Sequence, residues 1–150
     1  MRQERKTVNE IRLEFPSHSC NEAFARTAAA AFALCMDPTI EELSDIKTAV
    51  SEAVTNAIVH GYPDRVGQIN MECTAFSTRE IRIQVTDRGV GIPDIRRARE
   101  PMFTTGGEER SGMGFTIMEH FMTLLEVASV PGEGTSVTMY RKLSDGEANS

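Results

Sequence analysis

What this chain of 150 residues lacks already excludes several chemistries. Its three cysteines, Cys20, Cys35 and Cys73, are odd in number, far apart and form no CxxC pair, so no structural zinc site can be assembled from them. They read as small buried hydrophobes in a reducing compartment. Basic charge is not in excess: the formal net charge of -6 argues against the positive footprint of a direct nucleic-acid binder. No apolar run approaches the roughly 20 residues of a membrane-spanning helix. The opening MRQERKT leads into no apolar signal segment. These absences predict a cytoplasmic protein with no membrane partner. The chain also carries neither GxxxxGK[ST] nor GxGxxG after a strand, which excludes a P-loop and a Rossmann fingerprint.

What is present suits one domain over 1–143, followed by a polar tail, 144–150, expected to be disordered. Alternation over 8–15 predicts a first strand, and an alanine-rich stretch over 21–36 predicts a helix with Phe24, Ala28, Ala31, Phe32 and Cys35 on its apolar stripe. Thr39 with Glu42 three residues later matches a capping box opening a second helix over 40–60, with Leu43, Ile46, Val50, Ala53, Val54 and Ala57 inward. Strands over 68–76 and 80–87 form a hairpin, a short helix follows at 93–99, and 101–111 is an aperiodic loop. A helix over 113–125 and strands over 126–130 and 135–142 complete the chain. The fold class expected is α+β: a two-layer α/β sandwich with a mixed, mostly antiparallel sheet and helices on one face.

Four segments carry candidate chemistry. Glu52, Asn56 and His60 recur every four residues, on one side of the second helix and beside its apolar stripe. Asp87, Gly89 and Gly91 form DxGxG at a strand end, where an aspartate can accept from the exocyclic amine of adenine and glycines allow close approach of a planar base. Arg110-Ser111-Gly112-Met113-Gly114 precedes a helix, and free N–H groups with the positive end of a helix dipole suit phosphate. Thr135 lies in a tight turn before the last strand. Each segment taken alone has a plain structural reading: a polar helix edge, an Asx turn, a flexible loop, a hairpin turn. Arg96, Arg97 and Arg99 read as a solvated helix face rather than a partner-binding patch.

The order of the four segments resembles the N, G1, G2 and G3 boxes of the ATP-binding superfamily of gyrase, Hsp90, histidine kinases and MutL (the Bergerat fold). SEAVTNAIVHGY (51–62), DRGVGIPDI (87–95), ERSGMGFTIME (109–119), EGTSV (133–137) and NEAFAR (21–26) are similar, more narrowly, to the anti-sigma factor kinases of spore-forming bacteria. That resemblance implies ATP or ADP with Mg²⁺ as ligands. It implies Glu52 as general base, Asn56 as the Mg²⁺ ligand, Asp87 as reader of the adenine amine with Thr135 near the same edge through water, and Gly89 and Gly91 beside the base. Thr104, Thr105, Ser111, Gly112, Met113 and Gly114 would form a lid over the phosphates. Arg110 would approach the γ-phosphate and Arg26 a partner; His60 has a supporting role.

The activity implied is inhibition of a sporulation sigma factor together with serine phosphorylation of an anti-anti-sigma protein, by a homodimer. A nucleotide-gated binding module with little kinase activity and a general-stress anti-sigma kinase are the alternatives. Little chain precedes the first strand or follows the last, so neither a histidine kinase nor a gyrase-type ATPase is expected. In the lid, Phe103-Thr104-Thr105 is followed by Gly106-Gly107 where the family carries Lys-Pro, which touches lid closure rather than nucleotide binding.

Overall fold

The computed structural model describes residues 4–100 and 109–145, the side chains of 109–113 excepted. Five strands form one sheet: β1 (Thr7–Pro16), β2 (Gln68–Phe76), β3 (Glu80–Asp87), β4 (Leu124–Val130) and β5 (Gly134–Lys142). Their spatial order is β1-β2-β3-β5-β4. Every pairing is antiparallel, so the expected mixed sheet contains no parallel pair among the described residues. The helices are α1 (Asn21–Leu34), α2 (Ile40–Asn56), the four-residue α3 (Ile95–Ala98) and α4 (Glu109–Phe121).

The period-2 pattern dictates the layering. Ile69, Met71, Cys73 and Ala75 of β2 and Ile81, Ile83 and Val85 of β3 are buried, while Asn70, Glu72, Arg82 and Gln84 between them stay partly exposed on the other side; Thr74 alone of the intervening residues is buried as well. The buried side meets Ile46, Val50 and Val54 of α2, Phe32 of α1 and Met118 of α4 in one core. This is the α+β two-layer sandwich.

The capping box forms as read: Thr39 Oγ1 accepts from the Glu42 N–H at 3.0 Å, and Glu42 Oε1 accepts from the Thr39 N–H at 2.8 Å. Glu42 also receives the Ser144 N–H at 2.7 Å, tying the end of the described chain to the start of α2. Burial pushes its pKa up, but the hydrogen bonds from Thr39 and Ser144 outweigh burial, and the net shift is downward.

Helix α1 departs from its expected stripe. Ala25, Ala29, Phe32 and Ala33 are buried, whereas Phe24 is 61% exposed and Ala31 and Cys35 are exposed too. A helix with alanine on every side has no strong apolar direction, so packing chooses its face. The small residues at four-residue spacing let α1 approach α2 closely. Of the three cysteines expected to be buried, only Cys73, on the inner side of β2, is so; Cys20 and Cys35, which flank α1, are exposed. Burial pushes the Cys73 thiol up to about 12.

Helix α4 begins at Glu109, four residues before the expected start, and ends at Phe121. Arg141 sets that end. Its guanidinium donates to the Phe121 carbonyl and pairs with Asp45 of α2 at 2.8 Å. The Thr123 N–H then donates to the Tyr140 carbonyl at 2.7 Å, so Leu125 belongs to β4 rather than to the helix. No helix among the described residues is long and apolar enough to cross a membrane.

Candidate functional site

Helix α2 does not stop at Asn56. It widens into a π turn over Ala57–Gly61, a rare feature that is frequent at functional sites. The turn delivers Gly61 against the end of β3. The Gly61 carbonyl accepts from the Val90 N–H at 2.9 Å, and a Cβ on Gly61 would lie 2.8 Å from Asp87 Cγ. Tyr62, 5% exposed, donates its hydroxyl to the Gln68 carbonyl at 2.6 Å and accepts from the Arg88 N–H at 2.7 Å. The strand-ending DxGxG turn is therefore fastened to the end of α2 at two points.

Beside this junction is a cavity of about 400 Å³, within the range of small-ligand sites. Its wall includes Asn56, His60, Asp87, Gly91 and Thr135. Asp87 is 6% exposed. Its Oδ1 accepts from the Gly89 N–H at 2.9 Å, and its carboxylate also receives the Thr135 backbone N–H. Burial pushes its pKa up more than these hydrogen bonds pull it down. A carboxylate has about four acceptor positions, so this one retains capacity for a donor on a bound molecule.

The structure thus brings together Asn56, Asp87, Gly91 and Thr135, with His60 beside them. Other expected positions are placed differently. Gly89 lies outside the cavity wall and packs on α2's end: a Cβ there would meet the Gly61 carbonyl oxygen at 1.8 Å. Gly91 borders the cavity with φ +78°, a conformation natural to glycine. Ser111, Gly112, Met113 and Gly114 are not a loop before a helix but part of α4 itself. Gly114 packs on Asn56, whose amide nitrogen would lie 3.0 Å from an added Cβ. Glu52, half-buried one turn before Asn56, is outside the cavity wall. Arg26 is outside the cavity wall, paired with Glu22 at 2.9 Å and bonded to Ser51 Oγ at 3.1 Å. Thr104 and Thr105 lie outside the described residues, as does the side chain of Arg110.

Several participants escaped sequence reasoning. Gly61 looks like an ordinary helix stop, and Tyr62 and Ser129 make their contacts across long stretches of chain. Arg96, Arg97 and Arg99 are not one solvated face: Arg97 lines the cavity, and Arg99, just past α3, pairs with Glu119 at 3.1 Å. Gly61→Ala is expected to displace the Asp87 carboxylate, since neither backbone can retreat. Binding of a ligand in the adjoining cavity should weaken by about tenfold or more and stability fall by about 1–3 kcal/mol. Ligand titration and thermal melting check this, and unchanged affinity would show that the close approach is tolerant.

Fold and cavity together are those of a histidine kinase-like ATPase domain, and the family model of that description matches residues 15–141. The anti-sigma F factor of Thermoanaerobacter sp. (strain X514) is 57% identical over 133 residues, covering 88% of this chain and 92% of that protein. The anti-sigma F factor of Pasteuria penetrans is 53% identical over 137 residues, covering 90% and 91%. The chain belongs to the anti-sigma F factor family of histidine kinase-like ATPase domains. Solved structures bear out the fold. The RsbU and RsbW domains of a Mycobacterium tuberculosis protein superpose with a TM-score of 0.69 at 18% identity, over 92% of this chain and 33% of that one. The histidine kinase domain of a blue-light activated kinase from Erythrobacter litoralis gives 0.56 at 23% identity, over 85% and 63%. This chain spans less than two thirds of either solved chain.

Proposed function

We propose that this chain binds ATP with Mg²⁺ in the cavity beside Asp87, inhibits a sporulation sigma factor, and phosphorylates an anti-anti-sigma protein on serine. One observation carries the reading: a carboxylate 6% exposed faces a cavity with acceptor capacity to spare, in a chain whose relatives are named anti-sigma F factors. Asp87 accepts the adenine amine, and Thr135 borders the same edge.

The donor set fits Mg²⁺. Mg²⁺ commonly keeps one or two protein ligands and takes the rest from phosphates and water. Asn56 stands at the cavity wall and would hold the ion through its side-chain amide oxygen. When bound, Mg²⁺ offsets charge on the phosphate oxygens. Helix α4 starts at Glu109, and the N–H groups of its first turn suit phosphate. Arg110 stands in that turn. Glu52 accepts the proton of the attacking serine hydroxyl. Arg26 contacts a partner, Thr104 and Thr105 belong to the lid, and the chain works as a cytoplasmic homodimer; these parts rest on the family resemblance.

A second reading has one observation in its favour. Because Glu52 stands outside the cavity wall, the chain could instead be a nucleotide-gated binding module with little transfer activity. Incubation with γ-labelled ATP, Mg²⁺ and an anti-anti-sigma protein separates the two. Label on a serine of the partner is expected; ATP binding without transfer would favour the second reading.

A further inference from the structure

Three strands place Asp87, Thr135 and Ser129 in one cross-strand row, Asp87 opposite Thr135 and Thr135 opposite Ser129. Asp87 and Thr135 line the cavity, and Ser129 does not. The Ser129 hydroxyl stands behind the wall and makes three contacts. It accepts from the Ile92 N–H at 2.7 Å, lies 3.0 Å from the Gly134 carbonyl oxygen, and lies 2.8 Å from Thr135 Oγ1.

A serine hydroxyl has one proton and two lone pairs. The Ile92 N–H can only donate, and the Gly134 carbonyl can only accept. The three contacts are satisfied together by one hydrogen arrangement: Ser129 donates to Gly134 and accepts from both Ile92 and Thr135. The proton of Thr135 then points into the wall, and the cavity meets only its lone pairs. Its neighbour Asp87 likewise offers acceptors.

From this geometry we infer that Ser129 is a positioning residue for base selection. By holding the Thr135 proton it makes the Asp87–Thr135 edge acceptor-only, so that the edge takes an exocyclic amine and rejects a carbonyl at the same position of a purine. The inference rests on the adenine-site reading above and adds to it a residue that never touches the base.

The test compares ATP with inosine triphosphate, which carries a carbonyl in place of the amine. Dissociation constants are measured calorimetrically with Mg²⁺ for wild type, Ser129→Ala, Ser129→Thr and Thr135→Val. Wild type should prefer ATP. In Ser129→Ala the freed Thr135 hydroxyl can donate to the carbonyl, and the preference should shrink by about tenfold, the scale of one hydrogen bond. Ser129→Thr keeps a hydroxyl and should retain the preference. Thr135→Val removes the acceptor and should shrink it, which keeps the test decisive should Ser129→Ala not fold.

A role in packing alone would weaken both nucleotides by one factor. An unchanged ratio in Ser129→Ala, or in Thr135→Val where that is the folded variant, overturns the inference and leaves the adenine site standing. A wild type that binds the two nucleotides equally, or binds neither, overturns the adenine site and this inference with it.

Discussion

Asp87→Asn is expected to lower ATP affinity by about a hundredfold, the scale of a hydrogen bond to a charged acceptor in a buried site. The argument starts from burial. Asp87 is 6% exposed and already accepts from the Gly89 and Thr135 N–H groups, so its orientation is fixed before a ligand arrives. An asparagine in the same place keeps the shape. It substitutes a weaker acceptor and a donating NH₂, which must turn toward either the backbone donors or the adenine amine. Isothermal calorimetry reads the loss directly.

The same substitution should not destabilise the empty protein. Burial raises the Asp87 pKa, so the folded state holds this proton more tightly than the unfolded state does. Stability is therefore lost as pH rises from the ordinary carboxylate value through the raised folded value, and the loss is complete above it. Asparagine has no proton to lose. The melting temperature of the variant relative to wild type should rise across that window and level off above it. Unaltered ATP affinity would remove Asp87 from base recognition. A variant whose relative stability fell with rising pH would contradict the assigned direction of the shift.

Glu52→Gln is expected to slow phosphoryl transfer by ~10²–10⁴-fold, the usual contribution of a general base, with ATP affinity nearly unchanged. The separation of the two effects follows from position. Glu52 lies outside the cavity wall that holds Asp87 and Thr135, but only one turn from Asn56 on α2. A residue so placed can act at the phosphate end without contacting the base. Single-turnover transfer of labelled phosphate, measured beside nucleotide titration, makes the split visible. Transfer at the wild-type rate would exclude Glu52 as the base, and an equal loss in binding would make it a nucleotide ligand.

Much of this fold was legible because its signals are local. The Thr39–Glu42 capping box and the Ile46, Val50, Val54 stripe specify α2 within a few turns, and the alternation of β2 and β3 marks their buried side. The order of their motifs singles out Asp87, Asn56, Gly91 and Thr135, and the structure gathers them around one cavity.

What failed was non-local. Alanine on every face of α1 left the choice between Phe24 and Ala25 to packing against α2. The glycines at 112 and 114 hid the first turns of α4, although Gly114 lies where a side chain would crowd Asn56. Gly61 resembled a stop because its reason for lacking a side chain, the Asp87 carboxylate, arrives from another strand. Ser129 has no motif; its importance exists only once Ile92, Gly134 and Thr135 converge on it.

The central claim is that the cavity beside Asp87 is an adenine-nucleotide site, and one titration tests it most directly. With Mg²⁺ present, ATP added to the wild-type chain should give saturable single-site heat, while GTP at the same concentrations should give none. Equal binding of ATP and GTP, or no heat from ATP, would contradict the account.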